Sequence, residues 1–242
     1  MIRPLLMLAT ALGVTARLAA QDAPPPPRPW EFTGDVGFVN TAGNSEVTTL
    51  NVGEKVTHTR GRITVKQNFA LLYGRTDGTT TTSQWRTGVR GDIAMSSRLA
   101  VFGLAGFDRN RFAGIDRRFE EGVGLAFKVL ATERTKLDFE TGLSMIQQRS
   151  TLDVTDNFSA ARAASVFQYN FKPTAYFLQS VEVLPNLEET DDLRVNTETA
   201  LVAPLSRRLA IKVSYVIRYD KLPEPGFEKT DRLLTSGLQV TL

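Results

Sequence analysis

The sequence predicts an all-β chain, an antiparallel transmembrane β-barrel of about twelve strands. Three observations carry that prediction. Apolar and polar residues alternate with period two in segment after segment from Trp30 onward. The segments run to about ten residues or more, longer than the usual globular strand of about five or six and long enough, once tilted, to cross a bilayer. Aromatic residues gather at the two ends of the segments, where amphipathic rings sit at headgroup depth.

The chain opens on MIRPLLMLATALGVTARLAAQ, with a basic start at Arg3, an apolar run over 5–14 and small residues at Ala19 and Ala20. This is the anatomy of a secretory signal peptide, expected to be removed after residue 20. Without it the chain has 27 basic and 26 acidic residues, so its basic pI is no argument for nucleic acid. There is no cysteine, which excludes disulfides and thiolate metal sites. Residues 21–29, QDAPPPPRP, read as a stiff, extended periplasmic tether. The barrel is expected over residues 30–242. No run of about 18 apolar residues follows, so no helical membrane span is predicted.

In the first segment, 30–40, Trp30, Phe32, Val36 and Phe38 share one face and Glu31, Thr33 and Asp35 the other. Leu50, Val52 and Val56 continue the pattern, then Ile63, Val65, Phe69, Leu71 and Tyr73, then Trp85, Val89 and Ile93 opposite Arg86, Arg90 and Asp92. Leu99, Val101 and Phe107 lead into Phe119, Val123, Leu125, Phe127 and Val129, which oppose Arg118, Glu120 and Lys128. Leu137, Phe139, Leu143 and Met145 oppose Asp138 and Glu140. The later segments centre on Ala161 to Tyr169, Phe177 to Val183, Leu193 to Leu201, Leu209 to Tyr219, and the closing Leu238, Val240 and Leu242.

Period-two strands also build soluble barrels, with the greasy face inward. Two further signs favour lipid outside. Compact turns at 59–62, 94–98, 131–136, 170–173 and 204–208 alternate with connections expected to be longer, beginning at Gly74, Arg109, Arg149 and Lys221. Phe38, Tyr73, Trp85, Phe107, Phe119 and Tyr219 fall at the outer strand ends, and Trp30, Phe127, Phe167 and Tyr169 at the inner ends. A sheet in lipid must pair every backbone polar group, so it must close, and the last strand is expected to pair with the first. Ser236-Gly237 followed by apolar Val240 and Leu242 resembles the C-terminal signal of outer-membrane barrels, although Leu242 stands where an aromatic is usual.

Three stretches resemble one family: TGDVGFVNTAGNSEVTTLNV from Thr33, FDRNRFAGIDRRFEEGVGLAF from Phe107, and YDKLPEP through EKTDRLLTSGLQVTL at the end. They are similar to the salt-induced outer-membrane proteins (YdiY-like), a domain of unknown function, across residues 30–242. The resemblance implies a β-barrel in the outer membrane of a Gram-negative bacterium. It brings no catalytic residues.

The charges expected to matter are Asp35, Arg86, Arg90, Glu120, Glu140 and Arg218 in the lumen, and Asp108, Arg109, Arg111, Asp116, Arg117 and Arg118 in the densest charged stretch. That stretch reads either as a loop meeting lipopolysaccharide or constricting a pore, or as a loop braced by its own Arg–carboxylate pairs. The mixed lumen charges read either as the wall of a narrow aqueous path or as a lattice that closes it. His58, the one histidine, falls on the apolar face near an inner turn, away from where a barrel hydrolase needs its base. Asp138 and Glu140 point the same way along one strand and make no cleft, as do Glu31 and Asp35. Glu188, Glu189, Asp191 and Asp192 offer Ca²⁺ oxygens, but a solvated loop accounts for them better.

The expected function is a passive small channel or an envelope-stress barrel, without catalysis, cofactor or metal. The alternatives are an outer-membrane lipid-modifying hydrolase and a soluble periplasmic barrel for an apolar ligand. Expected partners are outer-membrane lipid, lipopolysaccharide and the barrel assembly machinery during biogenesis. A closed sheet needs no partner strand, so a monomer is expected.

Overall fold

The structure is a computed structural model, and it describes residues 29–41, 47–172 and 174–242. The leader over 1–20, the proline tether except Pro29, the 42–46 part of the TAGNSE motif and Pro173 lie outside the described residues.

Alternating sequence becomes a continuous antiparallel meander of twelve strands: β1 Trp30–Thr41, β2 Val47–Arg60, β3 Ile63–Thr76, β4 Thr79–Ala94, β5 Leu99–Asn110, β6 Ile115–Ala131, β7 Thr135–Ser150, β8 Thr155–Lys172, β9 Ala175–Pro185, β10 Leu193–Pro204, β11 Leu209–Asp220 and β12 Thr230–Thr241. Each strand pairs with its chain neighbours, and β12 closes on β1. The closing seam is short, running from Thr33 opposite Thr241 to Val36 opposite Leu238. Phe32 and Leu242 extend it, each donating its N–H to the other's carbonyl at 3.3 and 3.0 Å. The final strand thus has the partner that its alternation requires, and closure leaves the sheet without a free edge.

The barrel is inside-out relative to a soluble domain. Leu234 is 71% exposed and Val123 64%, whereas Asp92, Arg162 and Arg194 are under 10%. Outward side chains such as Val36, Val89, Ile93, Leu143, Leu201 and Leu238 form the apolar belt that a bilayer would cover. A soluble barrel for an apolar ligand needs the opposite arrangement.

One sequence expectation changes. The connections after Gly74, Arg109 and Arg149 are not long loops. Threonine-rich alternation carries β3 and β4 onward to a tight turn at Asp77 and Gly78, both with positive φ (49° and 78°), as a two-residue hairpin turn requires. The next two hairpins close through four residues each, 111–114 with a 3-10 turn at Arg111–Ala113 and 151–154. Among the described residues, only the connections over 186–192 and 221–229 on that side are extended. Paired strands, rather than loose loops, project on that side.

The interior combines charged residues with an apolar cluster. Ile146, Phe158, Ala160 and Leu184 pack together inside β7 to β9, and Phe102 of β5 is 2% exposed. These residues sit at inward parity, interleaved with charges, so they fill one side of the lumen with side chains.

Candidate functional site

The lumen is the candidate site, and twelve strands supply its walls through their inward-pointing residues. Its main feature is a ladder of ion pairs. Lys66 meets Asp92 at 3.2 Å, Arg90 meets Asp92 at 2.7 Å and Glu140 at 2.7 Å, and Arg162 meets Glu140 at 2.8 Å and Glu182 at 2.9 Å. Asn196 completes the row by donating to the other Glu182 oxygen at 3.0 Å. Consecutive members from β7 to β10 are on neighbouring strands, but the Arg90–Glu140 pair jumps from β4 to β7. The two guanidiniums lie over the Phe102 ring at 4.0 and 5.5 Å, so the aromatic face fills the space under the jump.

A second cluster stands on the opposite wall. Lys212 of β11 reaches Asp35 at 3.5 Å and Glu198 at 3.2 Å, and the Tyr176 hydroxyl lies 3.3 Å from Gln239 Oε1.

A third lies toward the hairpin end. Arg118 makes a fork to the side-chain oxygen of Gln148 at 2.9 and 2.6 Å, with Asp108 4.0 Å away. Gln148 in turn donates to Glu224 at 2.7 Å. Arg194 meets Asp220 at 3.2 Å and covers the Phe158 ring at 4.6 Å. Arg218 donates to neutral Gln84 at 2.9 Å. Glu120 accepts from Ser144 at 2.8 Å.

These walls enclose two cavities. One, of about 350 Å³, lies between the ladder and the 221–229 connection and is lined by Arg90, Arg118, Glu120, Arg162 and Glu182. The other, of about 380 Å³, lies against Asp35, Tyr176, Glu198, Lys212 and Gln239. Asn68, Arg86, Asp108 and Arg218 line both. Arg86 is exposed within the lumen, and among the described residues no carboxylate comes within 4.0 Å of its guanidinium. The lumen is therefore laced on the β3–β10 side and hollow beside it.

Residues 34–242 match the model of the family described as "Protein of unknown function, DUF481". The chain belongs to that family. It is 22% identical over 217 residues to the "Uncharacterized protein YdiY" of Escherichia coli (strain K12), covering 87% of this chain and 82% of that one. Among solved structures it is similar to the NanC porin, with a TM-score of 0.50, 9% identity, and 87% and 97% of the two chains covered. It also overlaps the translocator domain of the autotransporter NalP from Neisseria meningitidis, with a TM-score of 0.47 and 12% identity over 88% and 86%. At 9% identity the likeness to the NanC porin speaks for the barrel fold alone.

The chain's densest charged stretch, from Asp108 to Glu120, divides between two faces. Arg109 and Arg111 both turn to Asp116, at 3.3 and 3.1 Å, on the outer hairpin rim. Arg117 is exposed, and its strand partner Arg149 pairs with Asp153 at 2.9 Å. Asp108, Arg118 and Glu120 point into the lumen beside Arg86. Sequence parity separates Asp108, Arg118 and Glu120 from Arg109, Arg111 and Arg117 but misplaces Asp116, which sits at a register shift between Ile115 and Arg117, and it gave no sign of the Gln148, Glu224, Gln84 or Phe102 contacts. Glu121 also went unread: it stands exposed on the apolar face, two positions along β6 from Phe119.

His58 lies at the inner rim, its ring 4.1 Å from that of Trp30 and its Nδ1 3.0 Å from the Pro29 carbonyl. Its local partners are thus a backbone oxygen and an aromatic face. In the acidic connection, the Asn186 amide donates to Asp192 at 3.1 Å, the Ser159 N–H donates to Glu188 at 3.0 Å, and Asp191 holds Lys221 at 3.0 Å. Among the described residues no group of three His, Cys, Asp or Glu side chains is placed to hold a metal.

Proposed function

We propose that this chain is exported with removal of its leader and inserts in the outer membrane of a Gram-negative cell, where it forms a narrow passive channel for small hydrophilic solutes. The observation that carries this reading is the pair of cavities sharing Asn68, Arg86, Asp108 and Arg218 inside a barrel with a greasy exterior. Charged walls of both signs favour small polar solutes, and the ladder keeps the passage narrow. Of the rim arginines, Arg117 is exposed and has no carboxylate within 4.0 Å among the described residues, so it is the one left to meet the phosphates of lipopolysaccharide, whereas Arg109, Arg111 and Arg149 are held by Asp116 and Asp153. The setting of His58 supports a barrel without catalysis, since a general base needs a reacting group within hydrogen-bond reach.

Single-channel recording of the refolded chain in planar bilayers tests the reading. Small, ohmic, ion-conducting steps are expected. A heat-modifiable barrel that inserts yet never conducts would leave a structural barrel in place of a channel.

A further inference from the structure

The two ends of the barrel carry opposite charge balances. Among the described residues of the inner turns, 60–62, 94–98, 131–136, 172–174 and 204–208, there are eight cations, Arg60, Arg62, Arg98, Arg134, Lys136, Lys172, Arg207 and Arg208, against one acid, Glu133. The described hairpin ends opposite, 75–80, 109–117, 149–156, 186–192 and 220–231, hold seven cations and twelve acids. The difference extends to pairing. At the hairpin end Arg109, Arg111, Arg149 and Lys221 are each matched to a carboxylate. All eight inner cations are exposed, and none has a carboxylate within 4.0 Å among the described residues.

The collar lies directly beyond an aromatic girdle. Trp30 is 59% exposed and Phe171 53%, with Phe127 and Phe139 also facing outward at this end, and the Arg134 guanidinium sits 5.7 Å from the Tyr169 ring centre. Rings of this kind lie at the boundary between acyl chains and headgroups. Cations one turn beyond them stand at phosphate depth, and six of the eight are arginines, which grip phosphate with two parallel hydrogen bonds.

We infer that the inner turns form a basic collar that binds the phosphates of anionic glycerophospholipids in the leaflet they meet. This goes beyond the channel reading and shares with it only the embedding in a bilayer. The collar gathers acidic lipids around one end of the barrel, and the acid-rich hairpin end has no comparable attraction, so the field also favours one orientation of insertion.

The test uses the refolded chain in phosphatidylcholine bilayers with trace spin-labelled phosphatidylglycerol or spin-labelled phosphatidylcholine, reading the motionally restricted lipid at the barrel wall. Phosphatidylglycerol is expected to be favoured at least about threefold at low salt, with the preference collapsing near 0.5 M NaCl, where the screening length falls to a few ångströms. The variant Arg60→Gln/Arg62→Gln/Arg207→Gln/Arg208→Gln should lose at least half of the preference, and Arg109→Gln/Arg111→Gln should keep it. Salt dependence of the unaltered chain decides the matter even if the fourfold variant fails to refold. Equal restriction of the two lipids overturns the inference, as does a preference that survives both salt and the fourfold change. Retention of soluble polyphosphate without any lipid preference would assign the collar to a polyanion and overturn the lipid assignment. No restricted lipid of either kind would show a chain outside the bilayer and sink the membrane reading as well, whereas conductance without lipid preference removes the collar alone.

Discussion

Arg90 on β4 reaches Glu140 on β7 at 2.7 Å, bridging two intervening strands across the curve of the wall. Glu140 divides its two oxygens between this arginine and Arg162, so one carboxylate ties together both halves of the ladder. Both partners are largely shielded, with side chains 16% and 9% exposed.

Glu140→Gln should therefore destabilise the barrel by about 2–3 kcal/mol, less than leaving a buried charge wholly unpaired, because Arg90 keeps Asp92 and Arg162 keeps Glu182. Urea unfolding in detergent or vesicles measures this. The same variant should widen the passage, seen as a larger unitary conductance. A change of less than about 0.5 kcal/mol would show that the ladder is not a structural brace.

The 221–229 connection crosses the hairpin-end mouth. Gly114, with φ of 78°, leaves room for it: a Cβ there would stand 2.7 Å from Glu224 Cβ and 2.8 Å from the Phe227 ring. Glu224 is anchored to Gln148 on the far side. Glu224→Ala combined with Phe227→Ala should free this segment without loosening the strands. Trypsin should then cut at Lys221 or Lys229 several-fold faster, while the urea midpoint stays in place. Unchanged cleavage would mean that other contacts hold the connection down.

Arg86 borders both cavities and has no close carboxylate of its own, so its charge acts on whatever passes. Arg86→Glu should shift the zero-current potential in a KCl gradient toward cation preference, since a charged constriction sets the sign of the favoured ion. The rim change Arg111→Gln should leave it alone. If the two variants behave alike, the selectivity barrier lies elsewhere.

Glu121 faces the apolar belt, opposite Ala105 and Met145 on its neighbouring strands. A carboxylate on the lipid side is unfavourable in proportion to depth, and this one lies just inside the Phe107–Phe119 pair of the outer girdle. Glu121→Leu should raise folding stability in vesicles by about 1 kcal/mol. A loss of stability would point to a partner that needs the acid.

Much of this protein is legible along the chain because a strand's side chains alternate strictly, so parity alone assigns every residue to one of two faces. Trp30, Val36 and Phe38 against Asp35, or Trp85 and Val89 against Arg86 and Arg90, declare which face is greasy, and lipid demands that such a sheet close. From that follow the strand number, the β1–β12 seam and the membership of the lumen. Connection length was less readable: Thr79 to Thr82 look like loop residues, yet Thr79, Thr80 and Thr82 pair with Thr76, Arg75 and Gly74 across a bulge at Thr81.

Tertiary structure decided what the charges do. Parity says that Arg90 and Glu140 point inward, but their meeting depends on how tightly four strands curve. It cannot tell that Arg118 takes neutral Gln148 instead of a carboxylate, or that Glu224 reaches in from the 221–229 connection. Face membership is a local property, set by backbone geometry within a few residues. Pairing across a lumen is a property of distance in space, and the curvature, the register and the Phe102 ring that fills the gap set that distance only once the barrel has closed.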